Sequence, residues 1–151
     1  MISLFGASGF IGSSFAKTYK DEVFIEPRNS EHPKYNKILF SLGTSDNYNI
    51  FTENPTIDFE TNVNKLIRIL HNCKERKIEI TLLSSWFVYG NCKEVCPNEE
   101  SLSSPKGYYS ISKLAAEQVI KTYCDTFPGN FYLTNLYVKT ITAGTGYIYL
   151  Q

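Results

Sequence analysis

The sequence predicts an α/β protein whose strands form a doubly wound parallel sheet. Short apolar runs that are typical of strands alternate with longer segments of helical periodicity. A glycine-rich turn follows the first run. The run at 78–83 is almost continuously apolar, as in a parallel strand covered on both faces. In such a fold, ligands bind at the carboxyl ends of the strands.

Each expected element rests on a local pattern. Apolar or β-branched runs predict strands at 1–5, 23–25, 37–42, 78–83 and 131–137. Helical patterns follow the glycine turn at 15–19 and cover 55–77 and 109–126. The longest helix carries an apolar stripe and ends on Lys74, Arg76 and Lys77, where cations complement the helix dipole. Turn-forming residues predict loops at 43–54 and 92–107.

Composition excludes several classes of protein. The 151 residues suit one domain, and 15 basic against 15 acidic residues give no net charge to attract nucleic acid or an anionic membrane. No apolar run approaches the ~20 residues of a membrane span, so we expect a soluble, cytoplasmic protein. Cysteines 73, 92, 96 and 124 lack zinc-site spacing, and we expect free thiols and no metal.

The glycine-rich turn at 6–12 reads GASGFIG and joins the first strand to a helix. Glycines permit a tight turn and a close backbone approach to a pyrophosphate, which the helix N-terminus attracts. The alternative is a turn that serves the fold alone. We take the turn as a dinucleotide site, and its expected cofactor-binding residues are Gly6, Ser8, Gly9, Phe10, Ile11 and Gly12.

Tyr109 and Lys113 are four residues apart on a predicted helix and so share one face. A phenol with a pKa near ~10 is a poor acid–base group at neutral pH, but an adjacent ammonium and an oxidised nicotinamide ring would favour its phenolate. Tyr109 could then exchange a proton with a substrate hydroxyl. This spacing also occurs by chance on solvated helix faces.

Two serines, Ser84 and Ser85, stand at the carboxyl end of the fourth strand. A hydroxyl at this position can hydrogen-bond the oxygen that is oxidised or reduced and orient it toward Tyr109. The alternative is an ordinary polar strand end.

Taken together, these motifs resemble those of the extended short-chain dehydrogenase/reductases of the NAD-dependent epimerase/dehydratase group. The resemblance rests on GASGFIG at 6–12, SSWFVYG at 84–90 and YSISK at 109–113, with Asn62 and Val63 in the long helix. It covers roughly residues 1–137. It implies a Rossmann-like fold, an NAD or NADP cofactor and a nucleotide-sugar substrate.

The resemblance also implies roles for the candidate catalytic residues. By position, Ser85 matches the substrate-orienting hydroxyl and Tyr109 the acid–base residue. Lys113 matches the residue that holds the nicotinamide ribose and tunes Tyr109. Dehydratases of the family carry an Asp-Glu pair where this chain has Trp86 and Phe87, so we expect oxidation, reduction or epimerisation rather than loss of water.

Cofactor choice depends on the residue that follows the second strand. An acidic residue there binds the ribose 2′-hydroxyl of NAD, whereas a basic one accommodates the 2′-phosphate of NADP. Arg28 favours NADP, although an alignment shifted by one residue would place Glu26 there and favour NAD.

The chain departs from the family pattern after Arg28. Too few residues precede the strand at 37 for the usual additional helix–strand–helix, and the link is near the lower limit of ~10–12 residues for a parallel crossover. We therefore expect about five strands in the order 2-1-3-4-5, with one usual strand missing and strand 2 at an edge.

A second departure lies near the carboxyl end. Tyr132 and Val138 replace the family's usual Arg and Gly, and relatives continue well beyond Gln151. We expect residues 1–151 to be the NAD(P)-binding domain, without the carboxyl-terminal substrate domain. Two functions stay open: an enzyme or its amino-terminal part, and a non-catalytic dinucleotide-binding module. We expect either a homo-oligomer or a partner chain.

Overall fold

The computed structural model describes residues 1–44, 53–90 and 101–138. The strands are β1 (Ile2–Phe5), β2 (Val23–Ile25), β3 (Lys37–Phe40), β4 (Ile78–Ser85) and β5 (Phe131–Val138). The helices are α1 (Phe10–Thr18), α2 (Ile57–Phe59), α3 (Lys65–Asn72) and α4 (Tyr108–Thr126). A π-helical turn, Glu60–Asn64, joins α2 to α3, and a 3₁₀ turn, Trp86–Tyr89, follows β4.

The sheet has five parallel strands in the order β2-β1-β3-β4-β5, which confirms the fold class and the strand order expected from the sequence. β2 pairs only with β1 in the described sheet and forms its edge. Because all strands are parallel, the carboxyl ends of β1, β3 and β4 lie along one edge of the sheet. The candidate site residues stand at this edge.

Helices cover the two faces of the sheet unequally. On one face, α3 and α4 pack on β3, β4 and β5 and form the larger core, which is centred on fully buried Phe40, Leu66, Ile80 and Ile120. On the other face, a smaller cluster around Leu4 and residues of α1 covers β1 and its neighbours. On that second face Glu79 is exposed and pairs with Lys37 at 3.1 Å. The expectation that both faces of β4 are covered is therefore wrong for the first residues of this strand.

The connection from β2 to β3, residues 26–36, crosses β1 without a helix of its own. Side chains of the neighbouring elements replace the missing helix. Arg76 donates to the Pro33 carbonyl at 2.7 Å and to Asn36 Oδ1, and Ser3 Oγ accepts from the Tyr35 N–H at 2.8 Å. A crossover this short is therefore held by hydrogen bonds to the sheet and to the segment after α3.

The helix expected at 55–77 is shorter than the sequence pattern suggested. α3 ends at Asn72, and Lys74, Arg76 and Lys77 lie beyond it rather than in its last turn. Arg76 binds the 26–36 connection, so its charge serves that connection rather than the helix carbonyls. The first helix, α1, begins at Phe10, five residues before the helical pattern seen in the sequence at 15–19.

The described ranges contain no helix with the length and apolar character needed to cross a membrane. They also contain no group of three or more histidine, cysteine or acidic side chains arranged to hold a metal ion. Cys73 and Cys124 are free thiols, whereas Cys92 and Cys96 lie outside the described residues.

Candidate active site

The glycine loop turns sharply between β1 and α1. Gly6 has a φ of 97°, and a Cβ at this position would lie 2.8 Å from the Leu42 nitrogen. A Cβ on Gly12 would lie 2.2 Å from the Gly6 carbonyl oxygen. Both positions therefore exclude any side chain, and they bring the start of α1 against the ends of β1 and β3.

The amino-terminal end of α1 is open to a ligand. Gly9 caps the helix without a side-chain hydrogen bond, and the first turn holds no acidic residue. Ser8 and Phe10 are exposed beside it, and Ile11 is half-buried. Backbone N–H groups and the helix dipole at such a terminus favour an anion, which is the chemistry required by a dinucleotide pyrophosphate.

Ser85 and Tyr109 meet at the carboxyl edge of the sheet. Ser85 ends β4, is buried, and accepts a hydrogen bond from the Phe87 N–H at 3.3 Å. Ser85 also lies near enough to the phenol of Tyr109, in the first turn of α4, to lower the pKa of that phenol by hydrogen bonding. The two residues thus lie close together although they belong to different elements.

Lys113 lies one turn along α4 and is almost completely buried. Its Nζ donates to the carbonyl of Leu42 at 2.8 Å and to that of Leu83 at 3.1 Å, and it lies 5.9 Å from the centroid of the Tyr109 ring. The ammonium therefore joins the ends of β3 and β4 beneath the tyrosine. Burial lowers the pKa of Lys113 from 10.5 to about 8, and the charge of Asp58 opposes that shift.

The groups of the protein itself act on the pKa of the Tyr109 phenol in both directions. Burial raises the pKa of Tyr109, the hydrogen bond with Ser85 lowers it, and the negative charge of Asp58 raises it, so that the net direction is upward. The reason is geometric, because the Lys113 ammonium points to two main-chain carbonyls and not to the phenol oxygen.

The two candidates for cofactor choice differ in exposure. Glu26 is buried, and its carboxylate accepts hydrogen bonds from the Lys34 N–H at 2.7 Å and from the Ser30 hydroxyl at 3.3 Å. Arg28 is exposed in the turn that follows β2, and its carbonyl accepts a hydrogen bond from the Lys65 ammonium. Glu26 thus holds the 26–36 connection, while the side chain of Arg28 faces solvent.

Several polar residues around this site have partners that the motifs did not reveal. Ser84 donates to the buried carboxylate of Glu117, and Asn62 donates from Nδ2 to Ser112 Oγ at 2.9 Å. Buried Asp58 accepts from Thr44. A polar residue on the apolar side of a helix was the available sequence signal for such contacts, but the pattern does not identify the partner.

A family model described as the NAD-dependent epimerase/dehydratase family matches residues 37–144, which is more than half of the chain. The match includes Ser85, Tyr109 and Lys113, whereas the glycine loop precedes it. A search of curated proteins found no match.

Solved structures of similar fold include RMD from Pseudomonas aeruginosa complexed with NADPH, with a TM-score of 0.74, 20% identity, and coverage of 90% of this chain and 54% of that one. UDP-glucuronic acid 4-epimerase from Bacillus cereus, in complex with UDP-glucuronic acid and NAD, has a TM-score of 0.74 and 19% identity, with coverage of 87% of this chain and 55% of that one. DesIV, a dTDP-glucose 4,6-dehydratase from Streptomyces venezuelae with NAD bound, has a TM-score of 0.74 and 18% identity, with coverage of 89% of this chain and 54% of that one.

These similarities concern the fold, and this chain spans about half the length of the proteins it matches. The matched residues include two of the motifs that carry the resemblance, SSWFVYG and YSISK, and the sheet order is the one expected from it. The chain belongs to the NAD-dependent epimerase/dehydratase family.

Proposed function

We propose that this chain is the cofactor-binding part of an NAD(P)-dependent oxidoreductase or epimerase that acts on a nucleotide sugar. In this proposal the glycine loop binds the pyrophosphate, and a substrate-binding part lies outside the 151 residues. Ser85 orients the reacting hydroxyl, Tyr109 exchanges its proton, and Lys113 holds the nicotinamide ribose. A nicotinamide held by these residues would supply or accept the hydride.

The closeness of Ser85, Tyr109 and Lys113 at one edge of the sheet is the observation that carries this proposal. A positioned hydroxyl beside a phenol can share one proton with a substrate oxygen, which is what general acid–base catalysis requires. Trp86 and Phe87 follow Ser85 and bring no carboxylate, which favours oxidation, reduction or epimerisation over elimination of water.

The test uses the natural full-length protein with NAD(P) and a panel of UDP-, GDP-, dTDP- and CDP-sugars. Tyr109→Phe should lower turnover by at least ~10²-fold and leave NAD(P)H affinity nearly unchanged, whereas Lys113→Ala should impair both. Tyr108→Phe removes a neighbouring phenol on the same helix turn and should leave both properties unaltered. Normal turnover in Tyr109→Phe would refute the assigned role.

A non-catalytic dinucleotide-binding module is the second candidate. Exposed Tyr132 stands where the family usually has an arginine, which favours this reading. Cofactor binding without turnover of any sugar nucleotide, in the full-length protein, would support the module. Binding of neither cofactor would refute both candidates, because both require the glycine loop.

We propose further that NADP(H) binds more tightly than NAD(H). The buried carboxylate of Glu26 is engaged by Lys34 and Ser30, whereas Arg28 is exposed after β2. The Lys65 ammonium reaches the Arg28 carbonyl and adds a second cation near this turn. A 2′-phosphate, as an anion, would favour such a cationic turn.

Cofactor fluorescence titrations test this preference in the isolated chain. Arg28→Ala should weaken NADPH binding about tenfold or more, by loss of one charge-assisted hydrogen bond, and should change NADH binding little. Lys121→Ala removes an exposed cation from α4 and serves as the matched control. Equal affinities of the wild-type chain for NADPH and NADH would refute the preference.

We also propose that the chain self-associates through α3 and α4. An apolar groove lies between them on the surface, and its lining includes Ile67, Ile111, Leu114 and Val119. Burial of such a groove against a second copy is favourable because it removes apolar surface from water. Light scattering should show that Ile111→Arg is monomeric while Leu102→Arg, at a highly exposed site, keeps the wild-type size.

A further inference from the structure

Asp58 is a buried carboxylate that the motifs do not account for. It is 2% exposed and lies in α2, where it accepts a hydrogen bond from the hydroxyl of Thr44. The ion pairs within the described residues join exposed or half-buried side chains elsewhere on the surface, and none includes Asp58. A buried carboxylate is unfavourable unless hydrogen bonds or an opposite charge compensate for its lost hydration.

Lys113 is a buried positive charge and therefore also needs compensation for its lost hydration. The residue is 3% exposed, and its ammonium donates to two neutral main-chain carbonyls, those of Leu42 and Leu83. Neutral acceptors satisfy the N–H groups but bring no negative charge. A lysine in such surroundings readily loses its proton unless a carboxylate lies close enough to oppose that loss.

One short segment connects the two buried charges. Leu42 accepts a hydrogen bond from Lys113, and Thr44 donates one to Asp58. Between them, a Cβ built on Gly43 would lie 3.4 Å from the Lys113 Nζ, so the main chain passes directly against the ammonium. Residues 42–44 therefore hold Lys113 at one end and are held by Asp58 at the other.

The charged and titratable groups facing Lys113 in the described part of the chain come from two elements. From α4 they are Tyr109 and, one turn beyond, Glu117, whose carboxylate accepts from Ser84. From α2 the group is Asp58, while β4 and the segment that follows β3 contribute main-chain carbonyls. Among these groups, Asp58 is the one whose charge raises the pKa of Lys113 against the effect of burial.

We propose that Asp58 is a positioning residue for Lys113: its carboxylate supplies the negative charge that keeps the buried ammonium protonated, and its bond with Thr44 fixes the segment that holds that ammonium. The role of Lys113 toward the cofactor rests on the proposed function. The electrostatic effect of Asp58 on Lys113 is a property of the chain alone, so this proposal and the proposed function can be tested separately.

The direct test follows the protonation of Lys113 by NMR, from the ¹³Cε and ¹Hε shifts of its side chain in the isolated chain. Lys113→Arg identifies the signal. Asp58→Asn keeps an oxygen acceptor for Thr44 and removes only the charge, so the Lys113 signal should titrate at lower pH than in the wild type. Glu60→Gln removes an exposed carboxylate from the adjoining π-turn and should leave the titration in place.

A lysine titration that is the same in Asp58→Asn and wild type overturns the proposal. If Asp58→Asn does not fold, Asp58→Ser carries the test. This change also removes the carboxylate charge and keeps an oxygen that can accept from Thr44, so Lys113 should again titrate at lower pH, and an unchanged titration is refuting.

Cofactor affinity gives a second readout. In Asp58→Asn the pH at which NADPH affinity falls on the basic side should be lower than in the wild type, whereas affinity at pH 6 should be nearly retained. An equal loss at every pH would indicate a purely structural role and would contradict the proposal. Absence of both NADPH and NADH binding in the wild type would refute the proposed function, while the NMR titration would still decide whether Asp58 acts on Lys113.

Discussion

Lys113→Met should change the pH dependence of stability in a way that can be calculated from the structure. The pKa of Lys113 falls from 10.5 in the unfolded chain to about 8 in the folded one, because burial disfavours the ammonium. At about 1.4 kcal/mol per pKa unit, this displacement corresponds to about 3 kcal/mol of stability lost when the buried side chain is charged.

The sign follows from the protons that each state holds. Below pH 8 both states carry the ammonium, and the wild type bears the full cost of burying it. Between pH 8 and 10.5 the unfolded chain keeps the proton and the folded chain has lost it, so the stability contributed by Lys113 rises with pH. Relative to Lys113→Met, the wild type should therefore gain about 3 kcal/mol over this window.

Urea unfolding at pH 7.0, 8.0, 9.0 and 10.5 measures this difference, with far-UV circular dichroism and the fluorescence of the single tryptophan, Trp86, as probes. Other groups titrate in the same range, including Cys73, whose pKa burial raises to about 11, but their contribution is common to both proteins and cancels in the comparison. Lys121→Met, at an exposed site on α4, should show no such trend. A constant difference between wild type and Lys113→Met would refute the burial argument.

Three further changes test the packing around the site. Gly12→Ala places a Cβ 2.2 Å from a main-chain oxygen of the glycine loop, and it should abolish NADPH binding in titrations and lower stability by about 1–3 kcal/mol. Ser84→Ala deprives the buried Glu117 carboxylate of a donor and should lower the free energy of unfolding in urea by about 1–3 kcal/mol. Adding Glu117→Gln removes the charge that needed this donor and should recover part of the loss. Arg76→Ala removes the hydrogen bonds that hold the 26–36 connection, and hydrogen exchange of the β2 amides should accelerate.

The strands were predictable because their signal is local. Apolar runs bounded by turn residues give β2 its observed bounds, Val23–Ile25, and the shortness of the 26–36 connection predicts that β2 lies at an edge. The end of α3 was not predictable in this way. A cationic helix end and a cationic anchor for a distant loop look identical in sequence, and Arg76 proves to be the second.

In the candidate site, too, residues with a local sequence signal were predictable and residues that depend on distant contacts were not. Ser85, Tyr109 and Lys113 were identified because each belongs to a motif with its own spacing, and the structure brings them together. Asp58 belongs to no such motif. Its importance depends on a hydroxyl after β3 and on an ammonium in α4, and neither neighbour can be inferred from the helix that contains it.

The same non-local contacts explain how the two ends of the site keep a fixed separation. Gly6 packs against Ser41 and Leu42 so closely that a Cβ on it would lie 2.8 Å from the Leu42 nitrogen, and Leu42 in turn accepts the hydrogen bond of Lys113. The glycine loop and the lysine of α4 are therefore joined through two residues after β3. In the proposed function these two elements hold the pyrophosphate and the nicotinamide ribose of a dinucleotide, and a link between them through the main chain would favour the required separation before the ligand arrives. The close contact of β1 with β3, which the short crossover preserves, makes this link possible.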